Sequence, residues 1–227
     1  MVIDLNILFQ KPEKDKIVTL EILPLAPLSM VSNIPGTYYK TQEIPDKFKL
    51  CGLFENILGW HFGKNDRIAI YKKLKEFHVK KLKNKDFELA ESNSGFKPLL
   101  YDFFEVGLVV KPQSSFYNDL WKKSFSRMDA DTHAKGTPNL DYNILKKKHL
   151  FLKSEDGGLP VFFQKYKSNY PMFYTSPTLR EYVVHENQIQ ITLKINKDLF
   201  ELLKSAINEN SASYLGNSEG WVELNII

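Results

Sequence analysis

The 227-residue chain is 43% hydrophobic and 13% aromatic, enough to bury a core of its own. Its 31 basic and 27 acidic residues leave a net charge of +4, which permits a polyanionic partner without demanding one, and the single Cys51 excludes an internal disulfide framework. No apolar run nears the roughly 20 residues a spanning helix needs, and the stretch Met1 to Phe9 carries Asp4 and Asn6 without a basic leader, so a soluble, cytoplasmic chain is expected.

Val2 to Phe9 and Ile17 to Leu23 read as two strands or one interrupted strand, with Lys11 to Lys16 as turn material. After a loop from Pro24 to Pro45, Asp46 is placed to cap a helix whose apolar positions Phe48, Cys51, Leu53, Phe54, Ile57 and Leu58 follow a 3.6-residue period, with Gly59 near its end. Cys51 is then a small core residue. Gly52, in mid-helix, costs about 1 kcal/mol relative to alanine and is expected to mark close packing against another backbone. A second helix is predicted from about Arg67 to Lys83, apolar at Ile70, Leu74, Phe77 and Leu82. Its other side, with Lys72, Lys73, Lys75, Lys80, Lys81 and Lys83, is either a solvated face or a phosphate-binding stripe.

Leu99 to Val110 reads as a buried strand. Beyond Pro112 the pattern degrades, and Ser124 to Lys148 is polar and basic, an extended arm or insertion. Pro160 to Phe163 resumes strand character, and Tyr182 to Val184 with Gln188 to Ile195 predicts a hairpin. Asp198 to Ile207 is an amphipathic helix and Trp221 to Ile226 a closing strand of period two. This order predicts an α+β fold: a ferredoxin-like, RRM-like antiparallel sheet with helices on one face, an inserted arm and a C-terminal helix-strand unit.

Several chemistries are missing their motifs. The chain has no phosphate loop of the Gly-x-x-x-x-Gly-Lys type, no dinucleotide fingerprint, no His-Glu-x-x-His and no paired cysteines. The histidines 61, 78, 133, 149 and 185 are dispersed without ligand spacing, so no metal and no cofactor is expected. A metal-independent ribonuclease needs only a base, an acid and a cation near the scissile phosphate, which Tyr38 or Tyr39 with Lys148 and His149 would supply. RNA binding without catalysis needs less: Tyr38, Tyr39 and Tyr174 for stacking, and Lys40, Lys47 and Arg180 for phosphates. Tyr38 and Tyr39 serve equally well as packing that closes their loop. In Ser213 to Trp221, Gly216 and Gly220 allow close backbone approach while Asn217 and Ser218 offer polar contacts; a tight turn accounts for the same glycines.

Three blocks, Pro27-Leu-Ser-Met-Val-Ser-Asn-Ile-Pro-Gly-Thr-Tyr-Tyr-Lys-Thr41, Gly52-Leu-Phe-Glu-Asn-Ile-Leu-Gly-Trp-His-Phe62 and Tyr214-Leu-Gly-Asn-Ser-Glu-Gly-Trp-Val222, resemble the Cas five family of CRISPR-associated proteins, in its type I-B-like branch. Thr178-Leu-Arg-Glu-Tyr-Val183 resembles the opening of that family's later strand pair. The resemblance implies one RAMP-type domain over residues 1–227 with a thumb-like arm at about 114–150. It also implies a non-catalytic, antiviral role: capping the 5′ handle of the crRNA in a type I Cascade complex, beside the backbone subunit and the large subunit, with target DNA nearby. Carried over to this chain, it nominates Ser32, Tyr38, Tyr39 and Lys40 in the first loop and Gly216, Asn217 and Ser218 in the second as RNA-binding. One branch of the family cleaves the precursor crRNA with Tyr, Lys and His, which keeps an endoribonuclease using Lys148 and His149 as the alternative. The last loop has two glycines, fewer than in RNA-processing relatives.

Overall fold

The structure, a computed structural model, describes residues 5–33, 38–92, 95–127 and 173–227. In chain order its elements are β1 (Lys16–Pro24), β2 (Met30–Asn33), β3 (Tyr38–Gln42), α1 (Lys47–Ile57), α2 (Lys64–Lys80), β4 (Phe104–Val110), β5 (Ser114–Arg127), β6 (Phe173–His185), β7 (Ile189–Ile195), α3 (Lys197–Glu209), β8 (Ala212–Tyr214) and β9 (Trp221–Ile226). The chain divides into two compact units. One comprises Met1–Pro35, Lys40–Tyr117 and Glu181–Ile227; the other comprises Gly36–Tyr39 and Asn118–Arg180.

In the first unit β1 sits at the middle of an antiparallel sheet because its alternation buries Val18, Leu20 and Ile22 on one face. It pairs with β7 from Lys16 to Ile22 and with β9 from Leu20 to Pro24, and the full order is β4-β7-β1-β9-β8. Taken as β1, α1, β4, β7, α3, β9, this is the split βαβ arrangement expected of a ferredoxin-like fold, with β8 added at one edge. Helices α1 and α3 bury Leu50, Leu53, Phe54, Leu199, Phe200 and Leu203 in one core with the inward side chains of the sheet. Phe54 meets Phe104 edge-on, with ring centroids 5.0 Å apart.

The caps of α1 follow the residues predicted for them. Asp46 Oδ1 accepts from the Lys49 amide at 2.8 Å, and Gly59 just beyond α1 has φ +70°. Asn196 Oδ1 accepts from the amides of Asp198 and Leu199 at the start of α3. The outer face of the sheet is centred on Glu21, whose Oε1 accepts from Gln188 and Gln190 and whose Oε2 accepts from Asn225. This carboxylate ringed by amides is unlike the aromatic platform on which RRM sheets stack bases.

Several expectations are corrected. Asn6–Phe9 is a 3₁₀ turn that buries two consecutive residues, Ile7 and Leu8, which a strand would point to opposite sides. The second helix begins and ends three residues earlier than expected. Leu99 to Val110 is not one buried strand: Tyr101–Phe103 is a 3₁₀ turn, and β4, at the sheet edge, exposes Leu108 and Val110. Residues after Pro112 form β5, and strands β2, β3 and β8 occupy stretches read as loop. The predicted hairpin is absent, because β7 joins β1 and β4 while β6 lies with β3 and β5 in a separate sheet ordered β2-β3-β6-β5. The stretch 160–163 and the arm from 128 to 150 lie outside the described residues.

Candidate nucleic-acid interface

In the first unit, the first loop singled out in the sequence is pinned by hydrogen bonds to β6, and the second lies close against it. Leu28 and Val183 exchange both of their backbone hydrogen bonds, and Ser29 Oγ donates to the Glu181 carbonyl at 2.9 Å. The Met30 amide donates to Thr41 Oγ1 at 2.8 Å, and the Thr41 amide to Glu181 Oε2 at 3.0 Å. Against this frame lies the C-terminal turn, with Gly216 at φ +84°. A Cβ there would stand 2.5 Å from the Ser29 carbonyl oxygen, so both conformation and space require glycine. At Gly220 space alone does so, since a Cβ would lie 2.6 Å from the Leu215 carbonyl oxygen.

Beside this junction opens a cleft of about 800 Å³, whose walls include Val31, Ser32, Gln42, Lys49, Tyr214 and Gly216. A second cleft of about 470 Å³ is lined by Asn56, Trp60, His61 and Arg67. Gly52, Phe96 and Tyr214 line both. The expectation that Gly52 marks close packing is therefore overturned: an added Cβ would meet nothing within 4 Å, because this side of α1 faces the clefts and not another backbone.

One turn further along α1, Glu55 is buried, and its Oε2 receives Arg67 Nη2 at 2.6 Å while its Oε1 accepts from the Leu99 amide at 2.7 Å. Burial pushes its carboxyl above the ordinary glutamate value, and Arg67 and the amide pull the other way. The Arg67 guanidinium also lies 5.0 Å from the centre of the Phe96 ring. The acid thus ties α1, α2 and the strand-entry segment into one support for the cleft floor.

The nominated residues separate into two groups. Ser32, exposed, lines the first cleft, Lys40 and Ser218 are exposed, and Gly216 forms the cleft wall. Asn217 buries both polar atoms of its carboxamide without a hydrogen-bond partner. The Lys47 ammonium sits 4.1 Å from the centre of the Tyr101 ring, and burial lowers its pKa.

In the second unit, Tyr38 and Tyr39 pair in parallel with Leu179 and Arg180. Tyr38 donates its hydroxyl to Asn118 Oδ1 at 2.8 Å, and the Arg180 guanidinium lies 5.0 Å from the Tyr39 ring centre. Tyr174 belongs to β6, and Lys148 and His149 lie outside the described residues.

Gln42, Phe96, Asn56 and Arg67 were not foreseen, and they come from separate segments that only the fold brings together. Tyr214 opened one of the quoted blocks, and its exposed aromatic side chain in a glycine-bearing segment was the available signal. Of the histidines, His61 is exposed and His78 stacks on Phe87 at 3.6 Å in the core. Cys51 is fully buried and its thiol pKa is pushed far up by that burial. Among the described residues no cluster of His, Cys, Asp or Glu has the arrangement of a metal site, and no helix is long and apolar enough to cross a membrane.

No curated protein matches the chain. Two cryo-EM structures of the Type III-B Cmr-beta bound to cognate target RNA, one also with AMPPnP, resemble it at TM-scores of 0.30 and 0.31 and 12% identity. They cover 91% of this chain, which spans only 62% and 63% of theirs, and a likeness this slight carries no argument about ligands. The sequence itself is decisive, for the family model of CRISPR-associated protein Cas5p matches residues 3–226, and the chain belongs to that family.

Proposed function

We propose that this chain is a non-catalytic guide-RNA-binding subunit of a type I Cascade complex. It caps the 5′ handle of the crRNA beside the backbone subunit and the large subunit, with target DNA nearby. The observation that carries the reading is the junction of the two family-matching loops, Gly216 against Ser29, beside an open cleft with Ser32 and Lys49 in its walls. A single-stranded handle has unpaired bases and a phosphate chain, and such a cleft meets it with hydroxyls, backbone and a cation. The non-catalytic part is supported by Tyr38, one of the two candidate nuclease tyrosines, whose hydroxyl is already engaged by Asn118.

The test is fluorescence anisotropy with a labelled RNA carrying the 5′ repeat sequence. Lys40→Ala combined with Lys49→Ala should weaken binding and lower the salt slope by about 0.7 for each phosphate that is no longer neutralised. An unchanged slope and affinity would overturn the cleft as the RNA site. Cleavage of repeat RNA in EDTA by excess protein would replace the non-catalytic reading with that of an endoribonuclease.

A further inference from the structure

Gly52 has no structural reason to be glycine. It is in the interior of α1, it is not among the positive-φ glycines, and no atom would touch its Cβ within 4 Å. Glycine there costs about 0.5 to 1 kcal/mol relative to alanine. What its missing side chain does provide is a bare strip of helix backbone where the two clefts meet, since both are lined by Gly52, Phe96 and Tyr214. The two clefts are thus halves of one groove with Gly52 in its floor.

The lining favours a planar, hydrogen-bonding ligand attached to an anion. Two aromatic residues stand at the junction, and Tyr214 is exposed. Asn56, whose Nδ2 donates to Ser213 Oγ, keeps its Oδ1 for another partner. A cation, Lys49, lies in the first half. The two lining carboxylates are already engaged, Asp46 by the Lys49 amide and Glu55 by Arg67 and Leu99.

We infer that the groove over Gly52 is a seat for one nucleobase of the bound RNA, lying flat on the helix backbone between Phe96 and Tyr214, its phosphates running toward Lys49. This rests on the RNA-binding reading and adds a specific base position to it. A Cβ alone would leave room for a ring to shift, whereas a longer side chain would fill the seat.

The deciding variant is Gly52→Leu, because leucine is a strong helix former entering open space and should leave the melting temperature unchanged or raised. Binding of a short fluorescein-labelled single-stranded RNA with the 5′ repeat sequence should fall about tenfold or more, the loss expected when one stacked base is expelled. Replacing one base of that RNA by an abasic site should weaken the wild type at a single position and leave Gly52→Leu no weaker there. In parallel, 4-thiouridine at that position should crosslink to Phe96, Tyr214 or α1 on irradiation. A stable Gly52→Leu that binds like the wild type overturns the seat and leaves the RNA reading standing, as do crosslinks confined to other segments. Should Gly52→Leu fail to fold, the crosslink position decides. A wild-type chain that binds no RNA overturns both, and protection of the groove by a protein subunit in place of RNA overturns the seat.

Discussion

Two glycines of the same unit, Gly216 and Gly52, are glycine for opposite reasons. At Gly216 the backbone has φ +84° and the Ser29 carbonyl stands where a Cβ would go, so the residue is fixed by what surrounds it. At Gly52 the backbone is helical and the surroundings are empty, so the residue is unexplained by the folded chain alone. The first belongs to the architecture that joins two loops, and the second to the space those loops enclose. Substitutions at and beneath the two positions should therefore part in sign.

The largest effect is expected at Gly216→Ala. Forcing a β-carbon into the left-handed region and against a backbone oxygen combines strain with a clash that no flexible side chain can relieve, for a loss of about 3 kcal/mol or more. A urea unfolding midpoint measures it. A variant as stable as the wild type would show that the turn and the Ser29 segment separate readily in solution, and the two-loop junction would lose its rigidity.

Next comes the support under the groove. Arg67→Met removes the cation from a buried carboxylate, which costs about 3 kcal/mol in a fully buried pair and less here, since the Arg67 side chain is 23% exposed. The loss should depend on pH in a defined direction. Without Arg67 the Glu55 carboxyl is held by burial further above its ordinary value of 4.5, so between 4.5 and that raised value the folded state binds more protons than the unfolded one. Stability of Arg67→Met should then fall as pH rises through this window, and the gap to the wild type should narrow near pH 5. Unfolding curves at several pH values test it; a gap that is constant or widens on acidification would mean Glu55 stays ionised by drawing on water, and the groove floor would be wetter than its burial implies.

How much of this was legible in the sequence follows the same division. Helix α1 was readable because Asp46 and a 3.6-residue apolar period specify a helix locally, and β9 because Val222, Leu224 and Ile226 alternate strictly into the core. The ferredoxin-like order followed from placing such elements in sequence. β5 was missed because a strand exposing both Phe116 and Tyr117 gives no inside-outside alternation to read. β6 and β7 looked like a hairpin because only three residues separate them, yet β7 finds its partners in β1 and β4, a choice made by distant chain segments. At the site, close backbone approach at Gly216 and Gly220 was inferable from the turn. The groove was not: Gln42, Asn56, Arg67, Phe96 and Tyr214 are spaced by no motif, and only the fold brings them together.

The smallest effect has the opposite sign. Gly52→Ala places one methyl where nothing lies within 4 Å and removes the conformational freedom that glycine gives the unfolded chain, so the fold should gain about 0.5 to 1 kcal/mol. The same change at Gly216 costs several times as much in the other direction, which makes the pair a self-controlled measurement on one protein. Differential scanning calorimetry of the two variants against the wild type reads both. A neutral or destabilising Gly52→Ala would mean that the helix backbone moves toward Phe96 or Tyr214 in solution and closes the space, and the glycine would revert to a packing role. A stabilising one leaves the chain carrying a cost at Gly52 that its own folding does not need, which is what a position kept open for a ligand requires.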